Sequence, residues 1–400
     1  MPRLIRAVPL MVFSVANLAA QAPAAATAAT AATAAAQVPA QSRPDSALSV
    51  IAIGGPREPL PAEKATARIR RFSFIAYGDT RNWHDGTLPQ DVHGLVVESL
   101  LAKAASLATG PDPVRFVVSS GDAVVNGQRI DQLNVSFVPL INRITAAGLP
   151  YFFAAGNHDV TGAQDLQNPQ RAIGLANLLA AHRNLIPPPG SMRRLNGYPT
   201  YAFGYGNTFV VEFDSNIAGD FTQYRWVRSQ LDSLDRKRYV NIVMVFHHPV
   251  FSSGPHGGLT VESSTAALRQ LYMPLFRKHH VRLLLTGHEH LFEHWVERYR
   301  DRSGAHRMDE VVSGGGGAPL YSYSSEPDLT AYLAAGAADH VSVDHLVKPG
   351  ADSTGNPHHY LVVHVDGEKL TVEVVGVGWG AAFAPYAGGM LVIPPEKKQK

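Results

Sequence analysis

From Phe72 onward the chain alternates two hydrophobic rhythms: short apolar runs of strand length, and longer stretches with apolar residues three and four apart. The short runs predict strands at Phe72–Tyr77, Arg115–Ser119, Tyr151–Ala155, Tyr201–Tyr205, Thr208–Asp214, Val240–Phe246, Val281–Leu285, Glu310–Ser313, Tyr360–Val365 and Leu370–Val375. The longer stretches predict helices at Leu95–Leu107, Gln132–Ala147, Gln164–His182, Gln223–Asp235 and Thr265–His279. Gly206-Asn207 between two runs predicts a hairpin. Strands and helices alternating in this way indicate a layered α/β domain.

Outside that region the rhythm breaks. Arg3 and Arg6 precede an apolar stretch from Ala7 to Leu18 and the small residues Ala19, Ala20 and Ala22, the three parts of a secretory signal over 1–22. Residues 23–70 are expected to form an Ala/Thr/Pro-rich tether and lead-in, 71–379 the folded domain, and 380–400 a C-terminal tail. Within the domain, 321–357 lacks a clear period and reads as an insertion or lid. A periplasmic or secreted protein is expected, with no transmembrane anchor after signal cleavage, because no second apolar run of spanning length follows.

Composition narrows the chemistry. Of 400 residues, 45% are hydrophobic and 17% charged, which supplies a core and excludes wholesale disorder, coiled coil and collagen. Lys plus Arg number 35 against 33 for Asp plus Glu, so no basic field is present and no specific nucleic-acid binding is expected. Cysteine is absent, which removes disulfides, thiolate-bound zinc, iron–sulfur clusters and Cys nucleophiles. The Gly314–Gly317 run lacks the Lys-Ser/Thr of a P-loop, and no Gly-x-Ser-x-Gly elbow occurs.

Five of the predicted strands end alike, an apolar run passing at once into Gly, Asp, Asn or His. They give Tyr77-Gly78-Asp79, Ser120-Gly121-Asp122, Gly156-Asn157-His158-Asp159, Phe246-His247-His248-Pro249 and Thr286-Gly287-His288-Glu289-His290. Ligands of open α/β sheets bind beyond the carboxyl ends of the strands, so the five tips are expected to share one crevice. Carboxylate, amide oxygen and imidazole without thiolate suit zinc, manganese or iron. The donors exceed what one ion takes. They match a pair of ions bridged by a carboxylate and a hydroxide, the device for in-line displacement at phosphorus.

These strings, in this order, resemble the calcineurin-like metallophosphoesterase superfamily over about Phe72 to Gly317. Within it, Gly287-His288-Glu289-His290-Leu291-Phe292-Glu293 looks most like the purple acid phosphatase branch. The resemblance implies a four-layer sandwich of two mixed β-sheets flanked by helices. It implies that Asp79 and His290 bind a first metal, that Asp122 bridges, and that Asn157, His247 and His288 bind a second. His158 would stand beside the phosphoryl group, with Asn157, His256, Arg81 and His248 on the substrate side; His256 follows His247 by nine residues, as in that branch.

Two positions depart from the pattern. Asp79-Thr80-Arg81 stands where many members have Asp-x-His, and Val125 stands where the purple branch has a tyrosine. The first metal then lacks one protein donor, for which Asn82, His84 or water are alternatives, and Arg81 is free to hold a substrate phosphate. The function implied is an exported dinuclear phosphatase that hydrolyses small-molecule phosphomonoesters by in-line attack of a metal-bridging hydroxide, with two ions of manganese, zinc or iron, alike or mixed. Alternatives are a phosphodiesterase or nucleotide or nucleotide-sugar hydrolase and, from another class, a non-catalytic metal-binding periplasmic protein.

Overall fold

The computed structural model describes residues 49–396 except 162–164, 259–260, 352–355 and 379–380; the expected signal segment and most of the tether lie outside the described residues. Among the described residues the strands run in chain order as β1 (Arg71–Tyr77), β2 (Val114–Ser119), β3 (Tyr151–Phe153), β4 (Tyr201–Tyr205), β5 (Thr208–Glu212), β6 (Asn241–Val245), β7 (Leu283–Thr286), β8 (Phe292–Asp301), β9 (Gly304–Ser313), β10 (Ser342–Val347), β11 (His358–Asp366), β12 (Lys369–Gly378) and β13 (Ala381–Ile393). The main helices are α1 (Asp91–Leu107), α2 (Val138–Ala146), α3 (Pro169–Ala181), α4 (Phe221–Asp232), α5 (Ser263–Ala267), α6 (Met273–Lys278) and α7 (Thr330–Ala335). The strands form two mixed sheets, ordered β13-β12-β11-β1-β2-β3 and β10-β8-β9-β7-β6-β5-β4.

Alternation along the strands sorts side chains into layers. Phe72, Phe74 and Ala76 of β1 and Phe116 and Val118 of β2 share one core with Val210, Val243, Val245, Leu283 and Leu285 of the second sheet. The residues between them, Ile75, Tyr77 and Val117, pack instead under Val96, Leu100, Ile141 and Ile144 of α1 and α2. On the far side, Phe209, Val211, Ile242, Met244 and Leu284 pack against Val227 and Leu231 of α4 and Met273 and Phe276 of α6. The α/β class and the four-layer sandwich expected from the sequence are both present. Neighbouring parallel strands run through both sheets, β1-β2-β3 in one and β5-β6-β7-β9 in the other.

Several boundaries differ from expectation. The lead-in is part of the fold: Ile53 is fully buried in the helical layer, its N–H donates to the Ala181 carbonyl at 2.9 Å, and Gly54 N–H donates to Asn142 Oδ1 at 2.7 Å. The expected tail at 380–400 contains β13, which pairs antiparallel with β12. The expected lid at 321–357 contains β10, the edge strand on β8, and α7, whose Tyr332 is buried in the second helical layer. Two predicted continuous helices are interrupted by π turns, Gln132–Phe137 before Val138-Pro139 and Leu268–Tyr272 before Met273-Pro274. A proline cannot donate the i to i−4 bond, and a wider turn accommodates its ring.

Candidate metal centre

The carboxyl ends of the parallel strands of both sheets deliver the five polar tips to one place. Ligand atoms of Asp79 after β1, Asp122 after β2 and His290 after β7 all lie within 4.8 Å of one another. Asn157 after β3, His247 after β6 and His288 after β7 form a second group: His247 Nε2 is 2.8 Å from Asn157 Oδ1 and 3.1 Å from His288 Nδ1, which is itself 3.1 Å from Asn157 Oδ1. Asp122 connects the groups, since its Oδ1 is 3.5 Å from His247 Nε2.

Local backbone is bent to this end. Asp79, Asp122 and His288 have φ of 59°, 58° and 67°, the left-handed region that non-glycine residues rarely occupy. Strain of this kind persists where the surroundings over-determine it, and three of the five such residues among those described sit at this one centre. A Cβ on Gly156 would lie 2.1 Å from Asp122 Oδ1, and one on Gly287 2.2 Å from Asp79 Oδ2, so both positions require glycine to let the tips close. Asp159, buried, ties two tips together by accepting from Asp122 N–H at 2.8 Å, Ala123 N–H at 2.9 Å and Gly156 N–H at 2.8 Å.

The protonation pattern fits metal ions. His247 Nδ1 lies 3.0 Å from the Ser120 carbonyl and His290 Nδ1 2.6 Å from the Pro319 carbonyl. A carbonyl only accepts, so both Nδ1 atoms carry the proton and both Nε2 atoms present lone pairs to the centre. Burial lowers the His247 imidazole to about 3 and that of His290 well below its usual value, which keeps both neutral as a metal requires. Burial and the nearby Asp122 carboxylate push Asp79 well above the usual carboxylate range. Burial opposes ionisation of Asp122 too, but His247, His158 and Arg81 hold it below that range. Two carboxylates this close ionise together only with a cation between them. Lone pairs from Asn157 and His247 that face each other without a proton make the same demand.

A family model described as calcineurin-like phosphoesterase matches residues 91–292, from α1 to the start of β8. The chain belongs to the calcineurin-like phosphoesterase family. The matched segment holds every tip except that of Asp79. Among curated relatives, the chain is similar to purple acid phosphatase 1 of Ipomoea batatas, 23% identical over 146 residues that make up 36% of this chain and 28% of that protein. It is also similar to the Fe(3+)-Zn(2+) purple acid phosphatase 12 of Arabidopsis thaliana, 24% identical over 149 residues, 36% of this chain and 29% of that one. The match thus spans under a third of either relative. The structure of purple acid phosphatase PPD1 from yellow lupin (Lupinus luteus) seeds superposes with a TM-score of 0.56 at 17% identity, over 80% of this chain and 54% of that one, a likeness of fold.

Against this family background the remaining predicted residues take distinct places. His158 is half-buried at the edge of the centre; its backbone N–H donates to Asp122 Oδ1 at 3.0 Å and its Nδ1 lies 2.7 Å from the Val125 carbonyl. Val125 therefore contributes a backbone oxygen to His158 where the purple branch has a tyrosine. Arg81 is buried with Nε 3.5 Å from Asp122 Oδ2. The two other donors considered for the first group lie elsewhere: the Asn82 amide donates to the Leu88 carbonyl at 2.8 Å, and His84 is exposed. Both line a surface cavity of about 320 Å³ with Trp83 and Leu88. His248 lies beside the second group, its ring 4.5 Å from that of His288. His256 is 41% exposed, with its ring 4.8 Å from His288 and 5.7 Å from Tyr321. Sequence reasoning missed Tyr321, which stacks on His290 at 4.2 Å, and Glu262, whose carboxylate lies among His248, His256 and His288. Neither belongs to a motif. A lone Glu before a short helix carries no signal of its own.

Proposed function

We propose that this chain is an exported dinuclear metal-dependent phosphatase that hydrolyses small-molecule phosphomonoesters. The observation that carries this reading is the convergence of Asn157 Oδ1, His247 Nε2 and His288 Nδ1 to within 3.1 Å of one another, beside an Asp122 carboxylate whose Oδ1 is 3.5 Å from His247 Nε2. Asp79, Asp122 and His290 would hold one ion, and Asp122, Asn157, His247 and His288 the other; zinc, manganese or iron suit such donors. Bound ions supply Lewis-acid charge for the phosphoryl oxygens and a nucleophile usable at neutral pH.

The chain's own groups do the rest. His158, with Nδ1–H fixed on the Val125 carbonyl, is left with Nε2 to hold and release a proton, the requirement for a general acid at a leaving oxygen. Arg81 places a guanidinium against the bridging carboxylate, where it attracts a phosphoryl oxygen. His256, whose basicity is raised by the Glu262 carboxylate 3.6 Å from its Nδ1, adds a second nitrogen donor on the open side. Removing a hydrogen bond to a charged group costs about 1.5–3 kcal/mol, so Arg81→Ala is expected to weaken inhibition by inorganic phosphate by roughly 10–100-fold. Unchanged inhibition would limit Arg81 to pairing with Asp122.

The test is hydrolysis of an aryl phosphate monoester and its diester after loading with manganese, zinc or iron. Monoester turnover is the expected result. Turnover of the diester alone would move the chain to the phosphodiesterases, and no turnover with any metal to non-catalytic metal binding. Export rests on the charged, apolar and small-residue pattern of residues 1–22. It is tested by the mature N-terminus, expected close to Gln21; an intact Met1 in a cytoplasmic fraction would refute it.

A further inference from the structure

His288 turns Nδ1 toward Asn157 Oδ1 and His247 Nε2, each at 3.1 Å, so an ion held among these atoms requires the His288 proton to be on Nε2. Nε2 lies 3.1 Å from Glu262 Oε2, a carboxylate that only accepts. The other two ligand histidines have backbone carbonyls in this role, Ser120 for His247 and Pro319 for His290, and His288 alone of the three has a side-chain carboxyl group.

The same carboxylate gathers two further imidazoles. Ser215 Oγ accepts from the backbone N–H groups of His247 at 3.2 Å and His248 at 2.9 Å, which leaves its own proton for His248 Nδ1 at 2.9 Å. His248 is therefore protonated on Nε2, and that atom lies 3.6 Å from Glu262 Oε2. Oε1, the second oxygen, is 3.6 Å from His256 Nδ1.

We propose that Glu262 is the positioning residue of the second ligand group: its carboxylate fixes the tautomer and plane of His288, and through His248 and His256 it joins that ligand to the substrate side. This rests on the metal-dependent reading above. A carboxylate behind a ligand histidine raises the basicity of the ligating nitrogen, and losing one weakens metal affinity by about 10–100-fold.

The probe is cobalt(II) alone, titrated against a competing chelator with no substrate present, on the wild type, Glu262→Ala and Glu262→Gln. Glu262→Ala is expected to weaken the tighter cobalt site by about 10–100-fold and to shift the visible bands of the ion there. Glu262→Gln still offers an oxygen to Nε2–H and is expected to restore most of the affinity. Metal-free melting temperatures should agree among the three, because the side chain is 31% exposed. Wild-type affinity and spectrum in Glu262→Ala would overturn the proposal, as would equal losses in Ala and Gln accompanied by lower metal-free melting. A wild type that binds neither cobalt, zinc nor manganese would instead overturn the metal-dependent reading itself.

Discussion

Asp122→Asn is expected to bind one metal ion where the wild type binds two, and to hydrolyse phosphomonoesters at least about 10²–10³-fold more slowly, the scale on which losing one transition-state stabiliser is felt. Asp122 is the one carboxylate near both ligand groups, within 4.8 Å of Asp79 and His290 and 3.5 Å from His247 Nε2. An amide keeps an oxygen but not the charge that offsets repulsion between two cations. The fold should tolerate the change for three reasons. Asn is among the residues that accept the left-handed φ of 58° found here. Its oxygen still accepts the His158 N–H. Removing one of two crowded buried carboxylates relieves repulsion on Asp79. The metal-free variant should therefore stay folded but melt below the metal-free wild type, because buried Arg81 loses its carboxylate partner, and it should gain less from added metal, because stabilisation by a ligand follows its affinity for the native state. Metal analysis and calorimetry check both statements. Two ions and a wild-type rate in Asp122→Asn would refute the bridging role.

Those tips were legible in the sequence because each couples two strong signals, an apolar run that can only be a buried strand and an abrupt polar, glycine-flanked exit. The left-handed backbone at Asp79 and His288 was not, since glycine announces such a conformation and these residues do not. Strand β8 was missed for a related reason. Its buried positions include Glu293, His294 and Glu297, which break the apolar pattern. Each instead has a distant polar partner: Glu293 Oε1 accepts from Ser253 N–H at 2.8 Å, His294 meets Asp309 at 2.7 Å and Glu297 accepts from Arg277 at 3.2 Å. Strand β10 alternates half-buried and exposed residues at a sheet edge and so looks like loop. Glu262 illustrates the general limit: its meaning lies in three histidines 14, 6 and 26 residues away in the chain that only the fold brings around it.

His158→Ala is expected to leave two ions bound while lowering the rate by about 10²–10⁴-fold, the usual contribution of a general acid. The separation of roles follows from how the residue is attached. Its link to the ligand groups is the backbone N–H on Asp122 Oδ1, which alanine retains, whereas the imidazole spends Nδ1 on the Val125 carbonyl and touches no metal donor directly. Leaving-group chemistry then distinguishes two roles for the ring. A proton donor matters most when the departing alkoxide is basic, so the loss should be large with an alkyl phosphate and small with a nitrophenyl phosphate, whose leaving oxygen departs without protonation. An equal loss with both substrates would make His158 a stabiliser of phosphoryl charge and not a proton donor. Loss of metal on substitution would place the ring among the ligands, and the second group would then need to be redrawn around it.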